Sequence, residues 1–145
     1  MTTIQCIRKI HFCAGHRVMN HASKCGTAHG HNYEAHIYAE ADQLDALGMV
    51  IDFAVLKEKI GSWIDLHWDH NFLAYEKDVD LIKALMTISR TKDPFICPFN
   101  PTAENIAHYL LTKVCPECLQ GTNVRVVKVV LYETVNCYVV AEIDA

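Results

Sequence analysis

The residues able to do chemistry crowd toward the N-terminus of this chain. Five of its nine histidines lie between Arg8 and Tyr33: His11, His16, His21, His29 and His31. His29-Gly30-His31 has i, i+2 spacing, and side chains of a strand alternate between faces, so at a strand start both imidazoles share one face. By parity it is the apolar face of Tyr33, Ala35 and Ile37, and Gly30 leaves the approach open. Two neutral imidazoles plus a third from elsewhere make a three-histidine site with a free fourth position, the arrangement of catalytic rather than structural zinc. His16, in Ala14-Gly15-His16-Arg17, is the expected third ligand. The competing account of an H-x-H is a hydrogen-bonded pair, and the histidine density and apolar face weigh against it.

Three further groups could work beside such a site. Cys25, four residues before His29 and next to Lys24, is a thiol that a nearby cation would make partly thiolate. It is a candidate proton-abstracting base, with a fourth zinc ligand or an inert loop thiol as alternatives. Asp69-His70 is a carboxylate–imidazole pair of the kind that supports general acid–base work, unless it is a helix cap followed by a surface histidine. Glu133 continues by parity the face of Val127, Val129 and Leu131. A carboxylate on an apolar face is unfavourable unless paired, so it is read either as an acceptor for ligand N–H groups or as a sheet-end residue in solvent. Cys115-Pro-Glu-Cys118 has no second pair nearby and is read as part of a connector running through Asn123.

The elements that must position these groups read as follows. Residues 2–13 are a strand, 14–30 a glycine-containing loop, and 31–41 a cleanly alternating, half-buried strand. Asp52 is the expected N-cap of a helix to about Leu66 with Leu56, Ile60, Trp63 and Ile64 as its stripe. A short helix near Leu81–Ile88 follows, then a proline-rich loop over 93–101, and Pro101 opens a second long helix striped by Ile106, Leu110 and Val114. Residues 124–133 and 136–143 are two strands joined by a tight turn. The order β-β-α-α-β-β implies an α+β fold: a four-stranded antiparallel sheet with two helices on one face, with open edges that an oligomer would pair.

Composition excludes several classes. The 145 residues suit one domain, 1–145, with a sizeable core; 51% are hydrophobic and 21% charged, against disorder. No apolar run approaches the ~18 residues needed to span a bilayer. No signal-peptide pattern opens the chain, which points to the cytoplasm. A net charge of −4 with no basic run beyond Arg8-Lys9 argues against a nucleic-acid partner. Seven cysteines without framework spacing read as reduced thiols.

Five segments together resemble one family: F-C-A-G-H-R at Phe12–Arg17, C-G-T-A-H-G-H-N-Y at Cys25–Tyr33, W-D-H-N at Trp68–Asn71, N-P-T-A-E-N at Asn100–Asn105 and L-Y-E-T at Leu131–Thr134. They look like the 6-pyruvoyl-tetrahydropterin synthase family, in order along the whole chain. The Cys25-x₃-His29-x-His31 spacing is similar to that of the queuosine branch, whose members make 6-carboxy-5,6,7,8-tetrahydropterin. The resemblance implies a tunnelling fold, three subunits closing a twelve-stranded barrel, and often a hexamer. It implies zinc on His16, His29 and His31, Cys25 as base, Asp69, His70 and Glu133 as a relay, and Glu133 as the pterin anchor. The implied substrate is 7,8-dihydroneopterin triphosphate, cleaved to the carboxypterin, acetaldehyde and triphosphate. Triphosphate release alone, side-chain aldol cleavage, and a non-catalytic zinc- or pterin-binding module are the alternatives. Arg17 and Lys24 are candidate cations for the triphosphate.

Overall fold

The computed structural model describes residues 2–144. Two long strands form its spine, β1 (Cys6–His16) and β2 (His29–Ala41), paired antiparallel along their length from Cys6–Ala39 to His16–His29. After β2 come α1 (Phe53–Leu56), a π-helical turn over Lys57–Gly61 and α2 (Ser62–His67), which run on as one rod. Then follow β3 (Asn71–Tyr75), α3 (Val79–Thr87) and β4 (Phe95–Cys97). A second rod consists of α4 (Ala103–Tyr109), a π-turn over Leu110–Val114 and α5 (Cys115–Cys118), and β5 (Val124–Tyr132) and β6 (Tyr138–Glu142) complete the chain.

The sheet has six strands in the order β4-β3-β1-β2-β5-β6, not the expected four. The four expected strands form an antiparallel group, β1-β2-β5-β6, and β3 and β4 extend it in parallel beyond β1, so the sheet is mixed. Neither shows a period-two pattern: β4 has only three residues, and β3 buries two neighbours, Leu73 and Ala74, in succession. β4 also lies inside the segment expected to be all loop. Pro94 and Pro98 flank its three residues without occupying them, and it is the edge strand, where nearby prolines are tolerated.

Each rod begins where a side chain satisfies an orphan N–H. Asp52 Oδ1 accepts from Ala54 N at 2.8 Å, as expected, and Thr102 Oγ1 accepts from Asn105 N at 3.1 Å. Thr102 rather than Pro101 is therefore the residue at the helix boundary. The expected stripes are the buried ones: Leu56, Ile60 and Ile64 on the first rod, Ile106, Leu110 and Val114 on the second. They pack on the inner face of the sheet, where Ala35, Ile37, Ala39, Val129 and Leu131 are fully buried. Trp63 and its neighbour Trp68 close the end near β4, each packing against Phe95. Cys115-Pro116-Glu117-Cys118 is helix, not connector. Cys115 N donates to Leu110 O, five residues back, and this widened turn relieves the clash of the Pro116 ring with the carbonyl four residues before it.

Two details of register matter for the site. A bulge in the β2–β5 pairing lets Ala39 face Val126 while Tyr38 faces Lys128, so Val127 drops out of the inner face on which strict alternation puts it. Val129 and Leu131 stay on that face, opposite Ile37 and Ala35, and aim Glu133 beyond them. Among the described residues no helix is long and apolar enough to cross a membrane.

Candidate active site

The β1–β2 register sets His16 directly opposite His29 and Ala14 opposite His31. All three imidazoles thus stand at one end of the inner face, and their ligand nitrogens lie within 4.8 Å of one another. Backbone carbonyls orient two of the rings. His16 Nδ1 donates to Pro101 O at 2.7 Å and His29 Nδ1 donates to Thr27 O at 2.6 Å, which leaves a lone pair on each Nε2. His16 is 2% exposed, and its Nε2 has no hydrogen-bond partner among the described residues. His29 Nε2 and His31 Nε2 are 3.1 Å apart. Tetrahedral zinc bound at ~2.0–2.1 Å would hold neighbouring ligand nitrogens ~3.3–3.4 Å apart. An orphaned buried acceptor beside two nitrogens at near that spacing fits a shared divalent cation.

The electrostatics favour the ligating form. Burial pushes His16 and His31 below the ordinary imidazole range; the neighbouring imidazoles add to this, and Glu133 opposes it. Neutral imidazole is the form that binds metal. Tyr33, buried beneath the cluster with its ring edge-on to His31, has its phenol pushed far up by burial and stays protonated.

Glu133 does reach the site. Its Oε1 lies 3.4 Å from His16 Nε2 and 3.5 Å from His31 Nε2, with its side chain 25% exposed. The turn after it is held by Glu133 N to Cys137 O at 3.0 Å and by Asn136 N and Cys137 N, both donating to Thr134 Oγ1 at 3.2 Å.

Cys25 sits half-buried in a 3₁₀ turn, Lys24–Gly26, on the loop between β1 and β2. Three contacts hold that loop. Val18 N donates to Cys25 O at 2.8 Å. Asn100 pairs with both main-chain groups of Met19, its Oδ1 accepting at 2.9 Å and its Nδ2 donating at 3.1 Å. Arg17 forms a two-bonded ion pair with buried Asp78, Nε to Oδ2 at 2.6 Å and Nη2 to Oδ1 at 2.5 Å. Gly26 is required sterically, because a Cβ there would come within 2.5 Å of His21 O.

The match to the 6-pyruvoyl tetrahydropterin synthase model runs over residues 5–144. The chain belongs to that family. Within it, the 6-carboxy-5,6,7,8-tetrahydropterin synthase of Rickettsia typhi is 40% identical over 136 residues, covering 94% of this chain and 98% of the relative. The protein of that name from Helicobacter pylori is 32% identical over 141 residues, covering 91% of this chain and 70% of the relative. Among solved structures, an uncharacterized protein from Wolinella succinogenes superposes with a TM-score of 0.83 at 23% identity, over 99% of this chain and 100% of the other. The 6-pyruvoyl tetrahydropterin synthase of Caenorhabditis elegans superposes at 0.67 with 26% identity, over 99% and 98%.

The remaining expected residues of this family member lie elsewhere. Asp69 and His70 do form the orienting pair, with His70 Nδ1 donating to Asp69 Oδ2 at 2.9 Å. Asp69 Oδ1 accepts from Cys13 N at 2.8 Å, and His70 N donates to Cys13 O at 2.6 Å. Cys13 alternates with Ala14 and His16, so its side chain projects to the opposite face of the sheet from the histidine cluster, where it meets Asn32. Among the described residues no hydrogen bond joins the pair to Cys25 or Glu133, so the expected relay is not assembled within one chain. Arg17, expected to be available to phosphates, is instead committed to Asp78, whereas Lys24 is exposed. Asp78 and Pro101 were not anticipated. Pro101 acts through its carbonyl, which leaves no side-chain signal. Asp78 reads from sequence only as a helix cap, and its partner is 61 residues away.

Proposed function

We propose that this chain is a zinc-dependent 6-carboxy-5,6,7,8-tetrahydropterin synthase working as a homo-oligomer, a trimer or a pair of stacked trimers. It converts 7,8-dihydroneopterin triphosphate and one water to 6-carboxy-5,6,7,8-tetrahydropterin, acetaldehyde and triphosphate. The observation that carries the reading is the buried, unpartnered His16 Nε2 facing His29 and His31 in a chain of this family. His16, His29 and His31 hold the zinc, which when bound polarises the side-chain hydroxyls of the substrate and acidifies the neighbouring C–H bonds. Glu133 accepts from the pterin ring N–H and amino group, and its proximity to two of the imidazoles sets the ring against the cluster. Cys25 takes the proton from the side-chain carbon. Asp69 and His70, on the far face of the sheet, serve a second copy of the chain, passing protons to and from its Cys25.

The test is product analysis with zinc-loaded protein and 7,8-dihydroneopterin triphosphate. Acetaldehyde and the carboxypterin should appear in equal amounts with triphosphate. Triphosphate without acetaldehyde marks a pyruvoyl-type lyase, and metal binding without turnover marks a binding module.

A further inference from the structure

His70 adopts a backbone conformation uncommon outside glycine. Its φ is 54°, left-handed, for a residue that is neither glycine nor asparagine. Such conformations persist only where the surroundings over-determine them. The peptide joining Asp69 to His70 is held at both ends. Its N–H donates to Cys13 O at 2.6 Å, and its carbonyl, Asp69 O, accepts from Lys92 Nζ at 2.7 Å.

Lys92 Nζ also donates to Asp65 O at 2.7 Å. That carbonyl has lost its usual partner, because Asp69 N turns back to Ile64 O at 2.9 Å. The half-buried ammonium thus caps the C-terminal end of α2, where a cation is favoured, and clamps the turn that carries His70. The segment supplying Lys92 is itself tied down. Arg90 Nη1 donates to Met86 O at 3.0 Å, Arg90 Nε to Asp93 Oδ1 at 3.0 Å, and Asn71 Nδ2 to both His67 O and Asp93 O.

We propose that Lys92 is a positioning residue for the reaction: it fixes the Asp69–His70 peptide and thereby aims the His70 imidazole, without touching substrate. The assignment rests on the proposed acid–base use of His70. It gives the segment between α3 and β4 a function, that of a brace for the acid–base turn. Asp69 fits the same account. Burial works against its ionisation, but the Cys13 N–H, His70 and the Lys92 charge outweigh this and hold its carboxyl below the ordinary range.

The experiment compares Lys92→Met and Lys92→Arg, alone and with His70→Ala, in the zinc-loaded full chain. Lys92→Met should lower kcat about tenfold to a hundredfold, the scale of a catalytic group displaced by about an ångström, with KM and zinc content unchanged. Lys92→Arg, which can still donate to two carbonyls, should recover most of the rate. In the His70→Ala background Lys92→Met should change kcat less than about twofold, because the two act as one unit. An equal loss in both backgrounds overturns the proposal. Nitrogen-15 imidazole spectra separate this from failure of the functional reading. His70 in the wild type should show the Nδ1–H tautomer, and Lys92→Met should show a mixture. An unchanged His70 spectrum in Lys92→Met also overturns the proposal, even if the wild type proves inactive on this substrate.

Discussion

Removing the Asp78 carboxylate should loosen the loop that carries Cys25 and cost the chain a large share of its stability. Asp78 is 2% exposed and Arg17 31%, and their two hydrogen bonds are short and charge-assisted. Breaking a buried pair by deleting one partner costs about 3–5 kcal/mol, because the other charge is left uncompensated. Water can reach part of Arg17, so the lower end, about 3 kcal/mol, applies to Asp78→Ala. The lost cap of α3 adds little, since Leu81 N is already 3.4 Å from Asp78 Oδ1. At about 2–4 °C per kcal/mol for a chain of this length, the melting temperature should fall by about 6–12 °C. Wild type and variant must be compared at equal protein concentration, because assembly also shifts the midpoint.

The pH dependence has a definite sign. Hydrogen bonding to Arg17 holds the Asp78 carboxyl below its ordinary value. A depressed carboxylate contributes stability that is fully present above its unfolded value of about 3.9 and disappears as pH falls through the folded value. The gap in stability between wild type and Asp78→Ala should therefore be constant at neutral pH and close below about pH 4. A drop under about 2 °C at pH 7, or a gap that persists at acid pH, refutes the reasoning. Arg17→Ala should act through the same bridge, lowering the melting temperature and leaving KM for the triphosphate unchanged. The reverse result restores Arg17 as a phosphate contact.

Three further outcomes are expected. His31→Ala should stay folded and lose most of its zinc, because sheet and helices are built without that side chain; full zinc by elemental analysis rejects the ligand set. Glu133→Gln should keep zinc but bind substrate at least about tenfold more weakly through loss of charge-assisted hydrogen bonds, whereas loss of zinc makes Glu133 a ligand, as its 3.4 Å and 3.5 Å separations from two imidazoles also permit. Cys25→Ala should retain zinc and substrate affinity while single-turnover rates drop about 10²–10⁴-fold, the scale of a lost general base; a normal rate moves the base to His70.

What the sequence displayed and what it hid divide along physical lines. The histidine cluster was legible because strand alternation carries i, i+2 spacing directly into space, and His16 needed only antiparallel pairing to meet it. The two helical stripes were legible because leucine and isoleucine at period 3.6 must be buried. Glu133 was placed correctly even though the bulge at Val127 broke the parity count, since only Val129 and Leu131 set its direction. β4 has three residues, too few to carry a period, and β3 buries Leu73 and Ala74 in succession instead of alternating, so both were missed, and with them the mixed character of the sheet.

The hidden part of the site is made of backbone. Pro101 O sets the His16 tautomer, Thr27 O that of His29, and Lys92 reaches His70 only through the carbonyl of Asp69. Main-chain acceptors are identical at every residue, so a sequence names the imidazole but not the oxygen that decides which of its nitrogens is free. The same limit hides the partner of Arg17. A guanidinium near a metal motif suggests a phosphate contact, and only the fold shows that a carboxylate at the start of α3 accepts from its Nε and Nη2. Chemistry carried by side chains at fixed spacing is thus readable before folding, and the tautomers and backbone angles that make it usable are properties of the folded chain.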